Sequence, residues 1–193
     1  MSSRLDGIVD AIGREEVRAI ARRYFISNGF DGTLTGIGIT VGALLSGVDD
    51  GGIVVRIGLS AAVGLGTSAV WSVWEIERAE TLSEIRRLEA AMLVDLDDTR
   101  IEHQHQAGRL VNAVASGLGP LIGILLPLTP FAFEGVAFTM WGATVASIGL
   151  AVAVLGVFGA YMGSISGQRW YVAAARMAVA GLVVAAVTVV LPA

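Results

Sequence analysis

The 193-residue sequence predicts an all-α integral membrane protein with five transmembrane helices, the second extended into an acidic cytoplasmic helical segment. Composition is the first reason. Hydrophobic residues make up 54%, charged residues 16%, and the mean hydropathy is +0.72. A soluble domain carries about 25% charged residues, so much of this surface must face lipid. The second reason is five apolar runs, each near the ~20 residues that cross the hydrocarbon. The third is the placement of Arg. With the N-terminus in the cytoplasm, every Arg except Arg56 lies in or beside an inner segment, as the positive-inside rule requires.

The same composition excludes several function classes. The chain has no Cys, which removes disulfide scaffolds, thiolate metal sites and Cys nucleophiles. Two His cannot make a three-His zinc site. A net charge of −4 and a pI near 5.1 give no sign of a nucleic-acid partner. No nucleophile–base pair and no phosphate-binding loop stand out, so the chain does not read as an enzyme.

Residues 1–23 read as an amphipathic N-terminal interfacial helix. Leu5, Ile8, Val9, Ile12, Val17 and Ile20 lie near one face, and Arg14, Arg18, Arg22 and Arg23 meet anionic headgroups. Residues 24–74 hold transmembrane helices 1 and 2. The first span runs from Phe25 to Val48 with one charge, Asp31. The second runs from Gly51 to Trp74 with one charge, Arg56. Residues 75–106 form an acidic cytoplasmic helical metal-binding segment. Residues 107–191 hold transmembrane helices 3 to 5: Leu110 to Leu128, Gly135 to Gly163, and Trp170 to Leu191. The first span does not read as a signal peptide, since it follows a charged segment and lacks a cleavage pattern. Pro120 should kink the third span, and Pro127 and Pro130 should end it. Pairs of Gly four apart (Gly32 and Gly36, Gly38 and Gly42, Gly119 and Gly123, Gly159 and Gly163) fit close helix approach. The first span, where small residues surround a charge, is the first choice for a subunit interface. These spans place the chain in the plasma membrane with the C-terminus outside.

Asp31 is the most informative residue. It lies six residues into the first span, within Asn28-Gly29-Phe30-Asp31-Gly32. An ionised side chain there costs roughly 2.5–3.5 kcal/mol on the insertion scale and marks ion paths, relays or ligand sites. Arg56 starts the next helix from the opposite side and does not meet it. Such a carboxylate takes up either a proton or a cation, the exchange on which a cation/proton antiporter runs. The plainer alternative is an Asp near the headgroups that caps a broken helix at Gly32.

The acidic segment holds nine carboxylates against four Arg, a net of −5, and contains no Gly or Pro. It should continue the second span as a helix. Residues three and four apart share a helix face, so Glu77, Glu80 and Glu84 lie together, as do Asp95, Asp98, Glu102 and His105. Carboxylates with an imidazole suit Fe²⁺ or Mn²⁺. The alternative is a solvated face laced with Glu–Arg pairs such as Glu80–Arg87 or Glu84–Arg87. Glu102-x-x-His105 is one copy of a di-iron spacing that needs four helices, so it reads as a ligand pair only.

Four stretches together resemble the vacuolar iron transporter family, whose wider membership includes nodulin-21-like and prokaryotic membrane proteins. Phe25-Ile-Ser-Asn-Gly-Phe-Asp31-Gly32-Thr-Leu-Thr resembles its first span, with an Asp-Gly early in the helix. Trp71-Ser-Val-Trp-Glu75 and the acidic continuation resemble its long second helix. Asn112-Ala-Val-Ala-Ser-Gly-Leu-Gly-Pro120-Leu-Ile-Gly-Ile-Leu-Leu-Pro127-Leu resembles its third span. Ala153-Val-Leu-Gly-Val-Phe-Gly-Ala-Tyr-Met-Gly163 resembles the end of its fourth.

The resemblance implies a homodimer with a metal path between the two copies of spans one and two. It implies transport of Fe²⁺, with Mn²⁺ as a frequent second ion, out of the cytoplasm and against protons, with no permanently bound cofactor. Asp31 matches the pathway carboxylate, with Asn28 one turn before it, and Glu75 matches a second-helix Glu. Glu77, Glu80 and Glu84 fall where the cytoplasmic region collects metal; Asp98, Glu102 and His105 join them as candidate ligands. The chain departs from the family in two ways. No Met lies between Ala61 and Val70, where the second span often carries one. The cytoplasmic region is shorter than in plant members, with His103 and His105 as local substitutes. Two rival functions stand beside this one. One is a non-transporting membrane module whose acidic helix senses metal or docks a partner protein. The other is a transporter for another cation such as Ca²⁺.

Overall fold

The computed structural model of the chain describes residue 9, residues 11–92 and residues 100–190. Those residues form five long helices and one short 3₁₀ helix, with no strand among them. They are α1 (Glu15–Leu45), α2 (Gly51–Met92), α3 (Arg100–Leu128), the 3₁₀ helix Thr129–Phe133, α4 (Met140–Ile165) and α5 (Trp170–Val190).

Four of these are long and apolar enough to cross a membrane: α2 over Gly51–Ala91, α3 with the 3₁₀ turn over Gln106–Phe133, α4, and α5. The expected first span is not among them. Its 31-residue helix is long enough, but Asn28, Asp31 and the Thr and Gly residues that follow dilute its hydropathy. The packing supplies the reason. α1 touches all four other helices, most extensively α3. The face of a helix that packs on protein can carry polar groups that a lipid-facing one cannot. Thr33 and Thr40, both fully buried, spend their hydroxyls on the Gly29 carbonyl at 2.8 Å and on Ser147 of α4 at 3.0 Å.

α1 and α3 approach closely because small residues meet at their crossing. A methyl group on Gly32 would sit 2.6 Å from the Pro120 Cα, and one on Gly119 would sit 2.5 Å from the Phe25 carbonyl oxygen. Gly36 faces the backbone of Ile124. The pair Gly32 and Gly36 is therefore used within the chain. Gly38 and Gly42, on another face of α1, have no neighbour within 4 Å. Gly159 and Gly163 of α4 likewise lie against the backbone of α5. α2 buries one narrow stripe (Val54, Ala62, Ala69 and Val73), chiefly against α3. α5 buries only Gly181 and lies at the edge of the bundle.

The helix ends explain where the expected spans shift. α1 runs unbroken across residue 23, so the charged segment and the span are one rod from Glu15 onward. Its end is a left-handed cap. Gly47 has φ +71°, its N–H reaches the Leu44 carbonyl, and the Val48 N–H reaches Ala43. α2 continues past Trp74 to Met92, as the lack of Gly and Pro predicts. α3 accommodates Pro120 and Pro127 and ends at Leu128; Pro130 sits in the 3₁₀ turn. The fourth span was expected from Gly135, but α4 starts at Met140. Gly135 takes φ +80° in a turn, and Thr139 caps the helix by accepting from the Gly142 N–H at 3.2 Å.

Candidate functional site

A cleft of about 100 Å³ opens where α1, α2 and α3 meet. Asn28 and Asp31 line it from α1, Leu65, Ser68, Ala69 and Ser72 from α2, and Pro120 from α3. Four of the seven side chains are polar, in a part of the sequence that is otherwise apolar. The site exists because Asn28 and Asp31 lie three apart on one face of α1, while Ser68 and Ser72 lie four apart on α2.

Asp31 stands exposed at the rim in the single chain, and no ion pair of Asp31 exists among the described residues. Arg56 does not reach it, as expected from its position at the far end of α2. Thr35, one turn on, gives its hydroxyl to the Asp31 carbonyl at 2.9 Å. Asp31, Thr35, Gly38 and Gly42 recur at helical spacing and form a stripe that no other described helix covers at Gly38 and Gly42.

Asn28 is held rather than free. Its Nδ2 donates to the Tyr24 carbonyl at 2.9 Å and to Ser116 Oγ of α3, also at 2.9 Å. Ser116 in turn donates to the Ala69 carbonyl of α2 at 3.1 Å. One side chain from each of two helices and one carbonyl from the third thus fasten the cleft. Pro120 adds to its polarity, because it has no N–H to give the Ser116 carbonyl one turn back. Asn112, one turn before Ser116 on α3, is 2% exposed, and its Oδ1 has no hydrogen-bond partner among the described residues. A buried acceptor in that condition draws a donor, a water or a cation.

The remaining sequence-predicted residues lie on the extension of α2. Glu75 is exposed and pairs with Arg78 at 3.9 Å. Glu77 is half-buried, and Glu80 and Glu84 are exposed. Glu77 and Glu80 lie within electrostatic reach of the Tyr24 hydroxyl, so the N-terminal half of α1 stands beside the start of the acidic stretch. Glu102 and His105 are on the first turns of α3; their side chains, and all of Asp98, lie outside the described residues. Among the described residues, no three His, Asp or Glu side chains gather closely enough to hold a metal. The structure therefore brings Asp31 and Asn28 together but does not assemble the carboxylates at 77, 80 and 84 into a site within one chain.

The sequence reading missed Ser68, Ser72, Asn112 and Ser116. The signal was present: Asn112, Ser116, Gly119 and Gly123 fall on one face of the third span, the face that meets α1. Closer to the acidic stretch, the Arg109 guanidinium stacks over the Trp74 ring, 4.3 Å from its centroid, and joins α3 to α2.

Aromatic side chains mark both ends of the bundle, as at membrane interfaces. Trp71, Trp170 and Tyr171 are exposed at one end, and Phe133, Phe138 and Trp141 at the other.

Comparison with known proteins agrees with this architecture. The chain is 25% identical over 148 residues to the uncharacterized protein MJ0645 of Methanocaldococcus jannaschii, covering 74% of each chain. Residues 71–192, from the end of the second span through the last helix, match the VIT family. That match takes in more than half of a membrane-type helical bundle whose spans follow the expected order, and the chain belongs to the VIT family, the vacuolar iron transporters.

Proposed function

We propose that the protein exports divalent iron, with Mn²⁺ as a second ion, from the cytoplasm across the plasma membrane by exchange for protons. The observation that carries this reading is Asp31. It is a carboxylate without an ion pair among the described residues, set in a cleft of amide and hydroxyl groups between three helices. Metal transport of this kind fits the family to which the chain belongs. Asp31 and Asn28 are the pathway residues in this reading, with Glu75 at its inner mouth.

In the proposed mechanism Asp31 exchanges a proton, returned to the cytoplasm, for the ion. A divalent ion arriving from the cytoplasm displaces the proton and is held by the carboxylate, with hydroxyls of Ser68 and Ser72 replacing part of its water. Protonation from the outer side then releases the ion. Hard oxygen donors suit Mn²⁺ and Fe²⁺. Glu77, Glu80 and Glu84 raise the local cation concentration at the inner end, an electrostatic effect that needs no closed coordination site. Asp98, Glu102 and His105 are proposed as further metal ligands on the cytoplasmic side.

Five spans are part of the proposal, with α1 as the first, shielded by its neighbours from lipid. The N-terminus lies in the cytoplasm and the C-terminus outside, following Arg placement. Residues 1–23 anchor the chain at the interface, 24–74 and 107–191 cross the membrane, and 75–106 collect metal. A homodimer is proposed through the open stripe of Asp31, Thr35, Gly38 and Gly42, which would put two copies of Asp31 on one axis.

The test is metal flux into proteoliposomes with a pH gradient imposed or collapsed. Wild type should accumulate Fe²⁺ or Mn²⁺ only with the gradient, and Asp31→Asn should fall to background. Flux by Asp31→Asn at the wild-type rate removes Asp31 from the mechanism. Metal binding without any flux in the wild type assigns the chain to the non-transporting class, and a preference for Ca²⁺ in competition replaces the proposed ion.

A further inference from the structure

A second cavity, about 310 Å³, lies at the inner end of the bundle between the start of α1 and the end of α4. Ala19, Ile20, Arg22 and Arg23 line it from α1, and Met162 and Ile165 from α4. Its size is at the low end of the ~300–1,000 Å³ usual for ligand pockets. Its wall is apolar apart from two guanidinium groups. Neither Arg22 nor Arg23 makes an ion pair among the described residues; Arg23 stacks over the Tyr24 ring at 5.5 Å. No carboxylate lines the cavity. The α4 end does not compete for the guanidiniums with open carbonyls at Met162 or Gly163, since the backbone N–H groups of Ser166 and Gln168 close them at 3.1 Å.

We propose that this cavity binds one anionic phospholipid, with its phosphate on Arg22 and Arg23 and an acyl chain along Ile20, Met162 and Ile165. Charge complementarity selects an anion, because two guanidinium groups and no carboxylate line the cavity, and the acids Glu77 and Glu80 lie on the Tyr24 side of Arg23. The apolar wall selects an amphiphile, because inorganic phosphate would leave Ile20, Met162 and Ile165 unused. Depth selects a membrane lipid. Arg22 and Arg23 immediately precede the apolar run that starts at Phe25, and the exposed Trp170 and Tyr171 mark the same end of α5, as expected at the headgroup level. The bound lipid would brace α1 against α4 at the level where α1 passes from interface to membrane. This inference does not rest on metal transport.

The test is native mass spectrometry of the full-length protein with equal amounts of phosphatidylglycerol and phosphatidylcholine. About fivefold preference per guanidinium is expected, the equivalent of ~1 kcal/mol for each Arg at an anionic surface. Arg22→Gln with Arg23→Gln should bring the two lipids to parity. Met162→Trp, which fills the apolar wall, should reduce retention of phosphatidylglycerol severalfold while helicity by circular dichroism stays unchanged. Equal retention of both lipids by wild type, or an undiminished preference in the double Arg variant, overturns the proposal. So does displacement of the lipid by millimolar inorganic phosphate, which would make the site one for a free anion. Increased lipid retention on deletion of residues 1–10 would give the cavity to the chain's own N-terminus and equally overturn it.

Discussion

Asn28 of α1 and Ser116 of α3 are joined by a 2.9 Å hydrogen bond, and the same Ser116 hydroxyl reaches the Ala69 carbonyl of α2 at 3.1 Å. Three helices thus share one hydroxyl, directly beside the cleft that holds Asp31. Ser116→Ala removes both bonds. Hydrogen bonds between membrane helices average about 0.6 kcal/mol and reach ~1.7 kcal/mol, so a loss of about 1 kcal/mol is expected in reversible unfolding in detergent. Flux should fall more than stability does, because Asn28 loses its orientation. Ser116→Thr should restore both if its hydroxyl takes the same place. A Ser116→Ala protein with normal flux would show that the cleft needs no pin.

The crossing of α1 and α3 predicts a contrast among glycines of one helix. Gly32→Ala forces a methyl toward the Pro120 Cα, which would lie 2.6 Å away, and backbone cannot swing aside as a side chain can. Overpacking of this kind costs roughly 1–3 kcal/mol. Gly38→Ala meets nothing within 4 Å and should be neutral, or stabilising by up to ~1 kcal/mol through helix propensity. Thermal unfolding of the two variants in the same detergent compares them directly. Equal losses would mean that the two faces of α1 are packed alike.

The open face of α1 gives a separate expectation for assembly. Gly38→Leu and Gly42→Leu add bulk where the single chain has space. In the proposed homodimer they should drive the protein to monomer in size-exclusion chromatography with light scattering, while circular dichroism remains unchanged. A dimer that survives both substitutions has its interface elsewhere, and α5, with only Gly181 buried, is the next surface to test.

The lengths of the apolar runs and the absence of Gly and Pro from 75–106 made α2 to α5 legible in sequence, because these features act locally along one helix. Asp31 was legible for the same reason, as a charge in an apolar run. Helix pairing was not. The Gly pairs of the first span look alike in sequence, yet Gly32 and Gly36 meet α3 while Gly38 and Gly42 face outward, and only the third helix decides which is which. Hydropathy is also blind to what packing does for α1, where neighbouring helices bury Thr33 and Thr40 and take up their hydroxyls. Ser116 and Asn112 escaped notice because an uncharged Ser or Asn raises no alarm in a span; its meaning comes from the partner across the interface. The start of α4 moved from Gly135 to Met140 because a positive φ at Gly135 and the cap at Thr139 act on geometry, to which an apolar average is blind.

Trp74 and Arg109 form a contact between α2 and α3 that lends itself to a double-mutant cycle. The guanidinium lies 4.3 Å from the ring centroid, close enough for a cation–π contact worth about 0.5–2 kcal/mol depending on desolvation. Trp74→Leu and Arg109→Gln should each destabilise the protein, and the double variant should lose less than their sum by about 1 kcal/mol. Strict additivity would reduce the contact to proximity.

The acidic extension of α2 should act on capture and not on the transport step. Glu80 and Glu84 are exposed, and no closed three-ligand site exists among the described residues. Their contribution in the proposed mechanism is thus a field, which concentrates cations without binding them in fixed geometry. At roughly 0.5 kcal/mol for each exposed charge, Glu80→Gln with Glu84→Gln should raise the apparent KM for metal about fivefold and leave the maximal rate nearly unchanged. Screening follows the same logic: raising the salt from 0.01 M to 0.15 M shortens the Debye length from about 30 Å to about 8 Å. The KM of the wild type should rise with salt, and that of the double variant should rise much less. A collapse of the maximal rate, or a KM effect that salt does not touch, would instead indicate direct coordination by these two carboxylates in the assembled protein.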